Sequence, residues 1–221
     1  MRNVIYKILT ILQIAIFYPQ LKNFGFINIR LFKFSSWHHG VGYLTADNKQ
    51  GDRVFLKTSG TYNAAECEYY CLTELYKLIP SLIPEPIEIF RKYSMSIVAM
   101  EAIEGEELTS TIVSREQYRV FCEEVIDALN MAEICHRDIH EGNLLFSKNK
   151  GLVLIDFAWA IHKYNIERDK QHVASLRTLG NEYKLSKYTW QDSFSLEKVG
   201  SKLFDNSFKV LKYTKPYEYK I

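Results

Sequence analysis

Cysteine is scarce and poorly placed for cross-linking. The four thiols, Cys67, Cys71, Cys122 and Cys135, lack the dense, regular spacing of a secreted disulfide framework, so a reducing compartment is expected. Zinc-finger spacing is missing as well: Cys67 and Cys71 stand one helical turn apart with no second Cys or His pair to complete a site. There is no internal repeat and no low-complexity tract. Acid is absent from residues 1–46, where Arg2, Lys7, Lys22, Arg30 and Lys33 carry all the charge.

What is present suffices for a packed core. The 221 residues are 47% hydrophobic and 14% aromatic, enough for one domain or one pair of lobes and far from the composition of a disordered chain. The net charge of +2 conceals an uneven layout. Residues 200–221 hold five Lys against Asp205 and Glu218, while the stretch 47–199 has 18 basic and 24 acidic residues. An acidic body with basic ends excludes an obvious nucleic-acid binder and suits peripheral contact with an anionic membrane surface.

The opening segment needs its own reading. Its apolar run from Ile8 to Tyr18, broken by Thr10 and Gln13, is shorter than the ~20 residues that cross a bilayer. A small-x-small cleavage pattern is absent, which argues against a signal peptide. We expect a helix that stops near Pro19, and two roles stay open for it: ordinary core packing, or an interfacial helix on an anionic leaflet.

Further along, short apolar pieces separated by turn residues predict strands at 30–34, 41–45, 53–57, 87–90, 96–100, 144–146 and 152–155. Leu72, Leu75 and Leu78 at helical spacing predict a helix over 63–79, with Pro80 beyond its end. Residues 115–134 form the clearest amphipathic helix, since Phe121, Val125, Ile126 and Leu129 share a face.

The chemistry concentrates in His136-Arg137-Asp138-Ile139-His140-Glu141-Gly142-Asn143 and, after a predicted hairpin, Asp156-Phe157-Ala158. These segments resemble the H-R-D-x-x-x-x-N catalytic loop and the D-F-G metal motif of protein-kinase-like phosphotransferases, with Ala158 in place of the last Gly. The resemblance implies an α+β bilobed fold with an antiparallel N-lobe sheet and a shortened, mainly helical C-lobe. It also implies ATP and Mg²⁺ as cofactors, Asp138 as base or hydroxyl-orienting group, and Asn143 and Asp156 as metal ligands. Lys57, ending the strand Val54-Phe55-Leu56-Lys57, matches the family's phosphate-binding Lys. Its expected partner is Glu68 rather than Glu66 or Glu74, because Leu72 and Leu75 follow Glu68 on the same helical face.

Met100, Glu101 and Ala102 resemble the hinge whose backbone binds adenine. Where G-x-G-x-x-G is expected stand Ser35, Ser36, Trp37, His38, His39 and Gly40, a degenerate loop in which Ser35, Ser36 and Gly40 are the candidate phosphate contacts. Arg168 to His172, with Leu176 and Leu179, resembles a helix bearing a structural Asp. The A-P-E segment of peptide-docking protein kinases does not follow Asp156. Such compactness is similar to Rio-like kinases, to lipopolysaccharide kinases acting on Kdo or heptose, and to aminoglycoside and choline phosphotransferases.

The resulting expectation has an N-terminal helix (1–24), a kinase-like N-lobe (25–102) and a C-lobe with a basic tail (103–221). It acts in the cytoplasm, with peripheral contact at the inner membrane face, moving the ATP γ-phosphate to a sugar or other small-molecule hydroxyl. The rivals are an atypical Ser/Thr protein kinase and a non-catalytic pseudokinase. Retention of Lys57, Asp138, Asn143 and Asp156 opposes the last of these.

Overall fold

Alternation organises the first half of the chain. Within Arg53–Ser59, Val54 and Leu56 are buried against one layer while Phe55 and Lys57 project to the opposite side. The computed structural model describes residues 2–37, 41–59, 62–93, 95–163 and 173–220, and the chain divides into two compact units. The first comprises Met1–Tyr69 and Glu85–Ala102; the second comprises Tyr70–Pro84 and Ile103–Ile221.

The first unit opens with α1 (Arg2–Phe24), followed by β1 (Ile27–Phe32), β2 (Tyr43–Asp47), β3 (Arg53–Ser59), the start of α2 (Tyr62–Tyr76), β4 (Pro86–Lys92) and β5 (Met95–Glu101). The strands form one antiparallel sheet in the order β1-β2-β3-β5-β4. The β2–β3 turn follows from its residues: Asn48 Oδ1 accepts the Gln50 and Asp52 N–H groups at 2.9 and 2.8 Å. Ile14, Phe17 and Leu21 of α1 pack with Phe26, Leu44, Val54, Leu56, Ile97 and Ala99 to make the core on one face of the sheet.

Helix α1 departs from expectation in two ways. It does not stop near Pro19 but runs to Phe24, because Phe17 and Leu21, both at 0% exposure, anchor it on either side. Pro19 and Ala15 lie on the solvent side, where water can satisfy the carbonyl that the missing N–H leaves unpaired. The helix ends instead at Gly25, whose φ of 109° lets its N–H reach the Leu21 and Lys22 carbonyls. The whole helix is therefore longer than the apolar run alone, and by length and composition it could cross a membrane.

The second unit contains the end of α2, β6 (Gly105–Glu107), α3 (Arg115–Met131), β7 (Ile134–Cys135), β8 (Leu144–Ser147), β9 (Gly151–Leu154), β10 (Ile161–His162), α4 (Val173–Leu176), β11 (Thr189–Trp190), α5 (Asp192–Leu203) and β12 (Tyr217–Glu218). A capping box starts α3: Ser114 Oγ accepts the Gln117 N–H and Gln117 Oε1 accepts the Ser114 N–H. Its Tyr118, Phe121, Cys122, Val125, Ile126 and Leu129 are buried. The order β6-β8-β9 forms a small sheet, and β7 pairs with β10. All four cysteines are buried. Burial pushes the Cys122 and Cys135 thiols well above their ordinary range, which suits packing rather than redox chemistry.

Candidate active site

In the first unit, sheet alternation sends Lys57 of β3 away from the α1 core, between Tyr43 on β2 and Val98 on β5. Its Nζ lies 2.9 Å from Glu68 Oε1 of α2, with the two side chains 8% and 4% exposed. A buried ammonium needs such a partner, since removing one member leaves an uncompensated charge. The neighbouring acids are engaged elsewhere: Glu66 binds Arg91 of β4, and Glu74 binds Lys77 one turn on. The structure thus brings Glu68, not Glu66 or Glu74, to Lys57.

The other upstream candidates are placed differently. Ser35 sits in a single 3-10 turn over Phe34–Ser36, exposed, with its carbonyl accepting from Lys7 Nζ at 3.3 Å. Gly40, with His38 and His39, lies outside the described residues, as does the Ser36 side chain. Met100 is buried and paired in register with Phe55 and Pro86. The Glu101 N–H donates to the Glu85 carbonyl at 2.9 Å and the Ala102 N–H to Arg53 at 3.2 Å. Those two donors are therefore used within the first unit.

In the second unit the loop after β7 is irregular backbone held by side chains. Asp192, the first residue of α5 and 0% exposed, accepts the His136 N–H at 2.7 Å and the Arg137 N–H at 3.0 Å, one on each carboxylate oxygen. Arg137 adopts φ 68°, a conformation that costs a non-glycine residue free energy unless its surroundings fix it. They do: its Nε donates to the Trp159 carbonyl at 2.8 Å, and its guanidinium lies 5.5 Å from the Trp190 ring and 5.4 Å from that of Tyr217. Gly180, at φ 59°, passes so close that a Cβ there would sit 2.8 Å from the Arg137 carbonyl oxygen.

The same bonds settle the loop's functional side chains. His136, fully buried, accepts the Asp138 N–H on Nδ1 at 3.3 Å, so Nε2 carries the proton and donates to the Ile155 carbonyl at 3.1 Å. Asn143 Nδ2 donates to the Asp138 carbonyl at 2.9 Å, turning its amide oxygen the other way. The Asn143 carbonyl in turn accepts the Ile155 N–H at 3.0 Å, which sets the next residue, Asp156, beside the loop. Asp156 has φ 64°, a conformation Asp tolerates, and its Oδ1 accepts the Ala158 N–H at 3.3 Å. Asp138, Asn143 and Asp156 are therefore gathered by one backbone network.

The donor set fits magnesium. A carboxylate and an amide oxygen are hard ligands, and Mg²⁺ commonly takes one or two protein oxygens together with phosphates and water. Among the described residues no group of three His, Cys, Asp or Glu side chains forms a metal cage of its own, so Asn143 and Asp156 would hold the ion jointly with a phosphorylated ligand.

Two features escape the sequence. The segment Arg168 to His172, with Asp169, lies outside the described residues, which resume at α4; among the described residues the carboxylate that holds the loop is Asp192. Asp at the start of a helix reads from sequence as a dipole or cap residue, so nothing flagged it. The second is a brace on Glu141: Tyr183 donates to its carboxylate, and Lys202 of α5 lies 3.1 Å from it. Burial works against the Glu141 carboxylate, but the Tyr183 and Lys202 contacts outweigh it and hold its pKa below the usual value. His140 stands between these groups, with Nε2 4.0 Å from Asp138 Oδ2 and its ring 6.2 Å from that of Tyr183.

A family model described as the RIO domain matches residues 31–173. The RIO-type serine/threonine-protein kinase Rio2 of Methanocaldococcus jannaschii is 29% identical over 133 residues, covering 56% of this chain and 47% of that protein. The chain spans about half the length of the curated relative it matches. With the family match running from β1 to the start of α4, through both Lys57 and the Asp138 loop, the chain belongs to the RIO domain family and has its compact kinase-like α+β fold.

Proposed function

We propose that this protein is an ATP- and Mg²⁺-dependent phosphotransferase of the atypical serine/threonine kinase type, transferring the γ-phosphoryl group to a protein hydroxyl. The observation that supports this is the hydrogen-bond network linking the Asp138, Asn143 and Ile155–Asp156 backbone, on which we assign Asp138 as base and Asn143 and Asp156 as the oxygen ligands. Lys57, oriented by Glu68, supplies a point charge for the α- and β-phosphates. Asn143 and Asp156 supply oxygens to Mg²⁺, which when bound neutralises charge developing on the phosphates. Asp138 accepts a hydrogen bond from the acceptor hydroxyl, aims its oxygen in line with the bond that breaks, and takes up the proton as the new ester forms.

The acceptor rests on the comparison. The matched relative is named as a serine/threonine-protein kinase, which supports a protein hydroxyl, and no comparison supports the lipopolysaccharide-type sugar that the sequence favours. Incubation with γ-labelled ATP and separated protein, glycolipid and small-molecule fractions tests this. Label on Ser or Thr of protein, lost in Asp138→Asn, is expected. Label confined to glycolipid would replace the acceptor, and Mg-ATP binding without transfer to any fraction would leave a pseudokinase.

A further inference from the structure

Helix α1 is turned inside out relative to an ordinary surface helix. Its two polar residues within the apolar run are the ones that face the core: Thr10 is 2% exposed and bonds the Tyr6 carbonyl, while Gln13 is 4% exposed and its Nε2 donates to the Ser59 and Ser96 carbonyls at 3.1 and 3.3 Å. The opposite face carries Val4, Ile5, Ile8, Leu9, Ile11 and Leu12, each 42–60% exposed. Amphipathic patterning in water places these sets the other way round. Six large apolar side chains on the first three turns of one helix form the kind of contiguous patch that monomers rarely leave to solvent.

The surroundings identify what covers it. The exposed Phe34 continues the patch, with Lys7 Nζ 4.7 Å from its ring centroid. Lys22 lies 5.6 Å from the ring of exposed Tyr18, and Lys33 lies 5.5 Å from that of exposed Phe32. Ammonium groups beside aromatic rings at the rim of an apolar face are the composition of a water–lipid boundary. No acid occurs before Asp47 to oppose an anionic surface. A second copy of the chain would bring the same positive rim against this one, which disfavours self-association. A bilayer span is also disfavoured, because Gln13, Phe17 and Leu21 tie the helix along the sheet.

We propose that the unpacked face of α1, continued by Phe34, docks on an anionic lipid leaflet, with α1 lying in the interface plane. Within its own unit this face is on the side of the sheet opposite Lys57, so docking leaves the Lys57–Glu68 side uncovered.

Flotation of the full chain with vesicles tests the proposal and needs no nucleotide, so its outcome is independent of phosphoryl transfer. The chain should float with vesicles of phosphatidylcholine and phosphatidylglycerol at low salt, float far less at high salt, and stay down with phosphatidylcholine alone. A variant with Ile8→Gln and Leu12→Gln alters side chains already 52% and 54% exposed, so its urea unfolding should match the wild type. Its vesicle-bound fraction should fall about tenfold. Absence of flotation by the wild type, or equal flotation by the variant, would overturn the proposal. So would sedimentation showing a dimer that the variant dissolves, since the face would then belong to a second copy.

Discussion

The Lys57 pair and the Asp138 loop are built by opposite means. Lys57 and Glu68 stand on a regular strand and a regular helix, and their meeting follows from alternation and helical facing plus one buried ion pair. Asp138, Asn143 and Asp156 stand on irregular backbone, with φ at Arg137 and Asp156 in the left-handed region, and the loop is fixed by side chains donating to and accepting from main-chain groups. Regular elements need a partner charge to place a functional group. Irregular ones need a scaffold of buried acceptors, of which Asp192 is the principal one.

Breaking that scaffold should have the largest effect. Asp192→Ala removes two charge-assisted bonds and leaves two buried N–H groups without an acceptor, a loss of about 4 kcal/mol in urea unfolding. Amide exchange should quicken first at His136 and Arg137. Asp192→Asn, which keeps one acceptor, should lose about half as much. An Asp192→Ala variant of wild-type stability would mean that the loop holds itself.

The ion pair predicts a different signature. Glu68→Ala removes the carboxylate 2.9 Å from the buried Lys57 ammonium and should cost about 3 kcal/mol, whereas the double replacement Lys57→Met with Glu68→Leu should lie within about 1 kcal/mol of wild type. A double-mutant cycle measures this directly. Additive losses would show that the two side chains do not depend on each other.

The smallest effect concerns the brace on the catalytic loop. Glu141 has its folded pKa depressed below 4.5, so its contribution to stability is present above that value and is lost as pH falls through the folded pKa. Lys202, raised chiefly by its bond with Tyr183, contributes below 10.5 and loses its share as pH climbs through the folded value. Glu141→Gln should therefore lower Tm slightly at neutral pH, where the carboxylate's contribution is fully present, and flatten the decline below pH 4.5. An unaltered acid limb would remove Glu141 from the account.

This contrast also explains what was legible in the sequence. Strand alternation in Val54-Phe55-Leu56-Lys57 and the spacing of Glu68, Leu72 and Leu75 are local patterns, and the sheet and its ion pair follow from them. The catalytic loop could be read only as a motif, because positive φ and side-chain-to-backbone bonds leave no periodic trace. Asp192 lies 54 residues beyond Asp138 in the numbering and had no local signal at all. Helix α1 runs past Pro19 for a similar reason: local propensity favours a stop there, and burial of Phe17 and Leu21 overrides it. Thr10 and Gln13 looked like interruptions of an apolar run and proved to be its packed side.

In the proposed mechanism Asp156 and Asn143 hold Mg²⁺ with a nucleotide while Asp138 serves the acceptor. Thermal unfolding with and without Mg-ATP tests it most directly, on the wild type, Asp156→Ala and Asp138→Asn. Expected are a clear rise in Tm for the wild type, equivalent to about 2.7 kcal/mol at a ligand concentration one hundred times Kd, the same rise for Asp138→Asn, and almost none for Asp156→Ala. Equal stabilisation of the wild type and Asp156→Ala by Mg-ATP would contradict it.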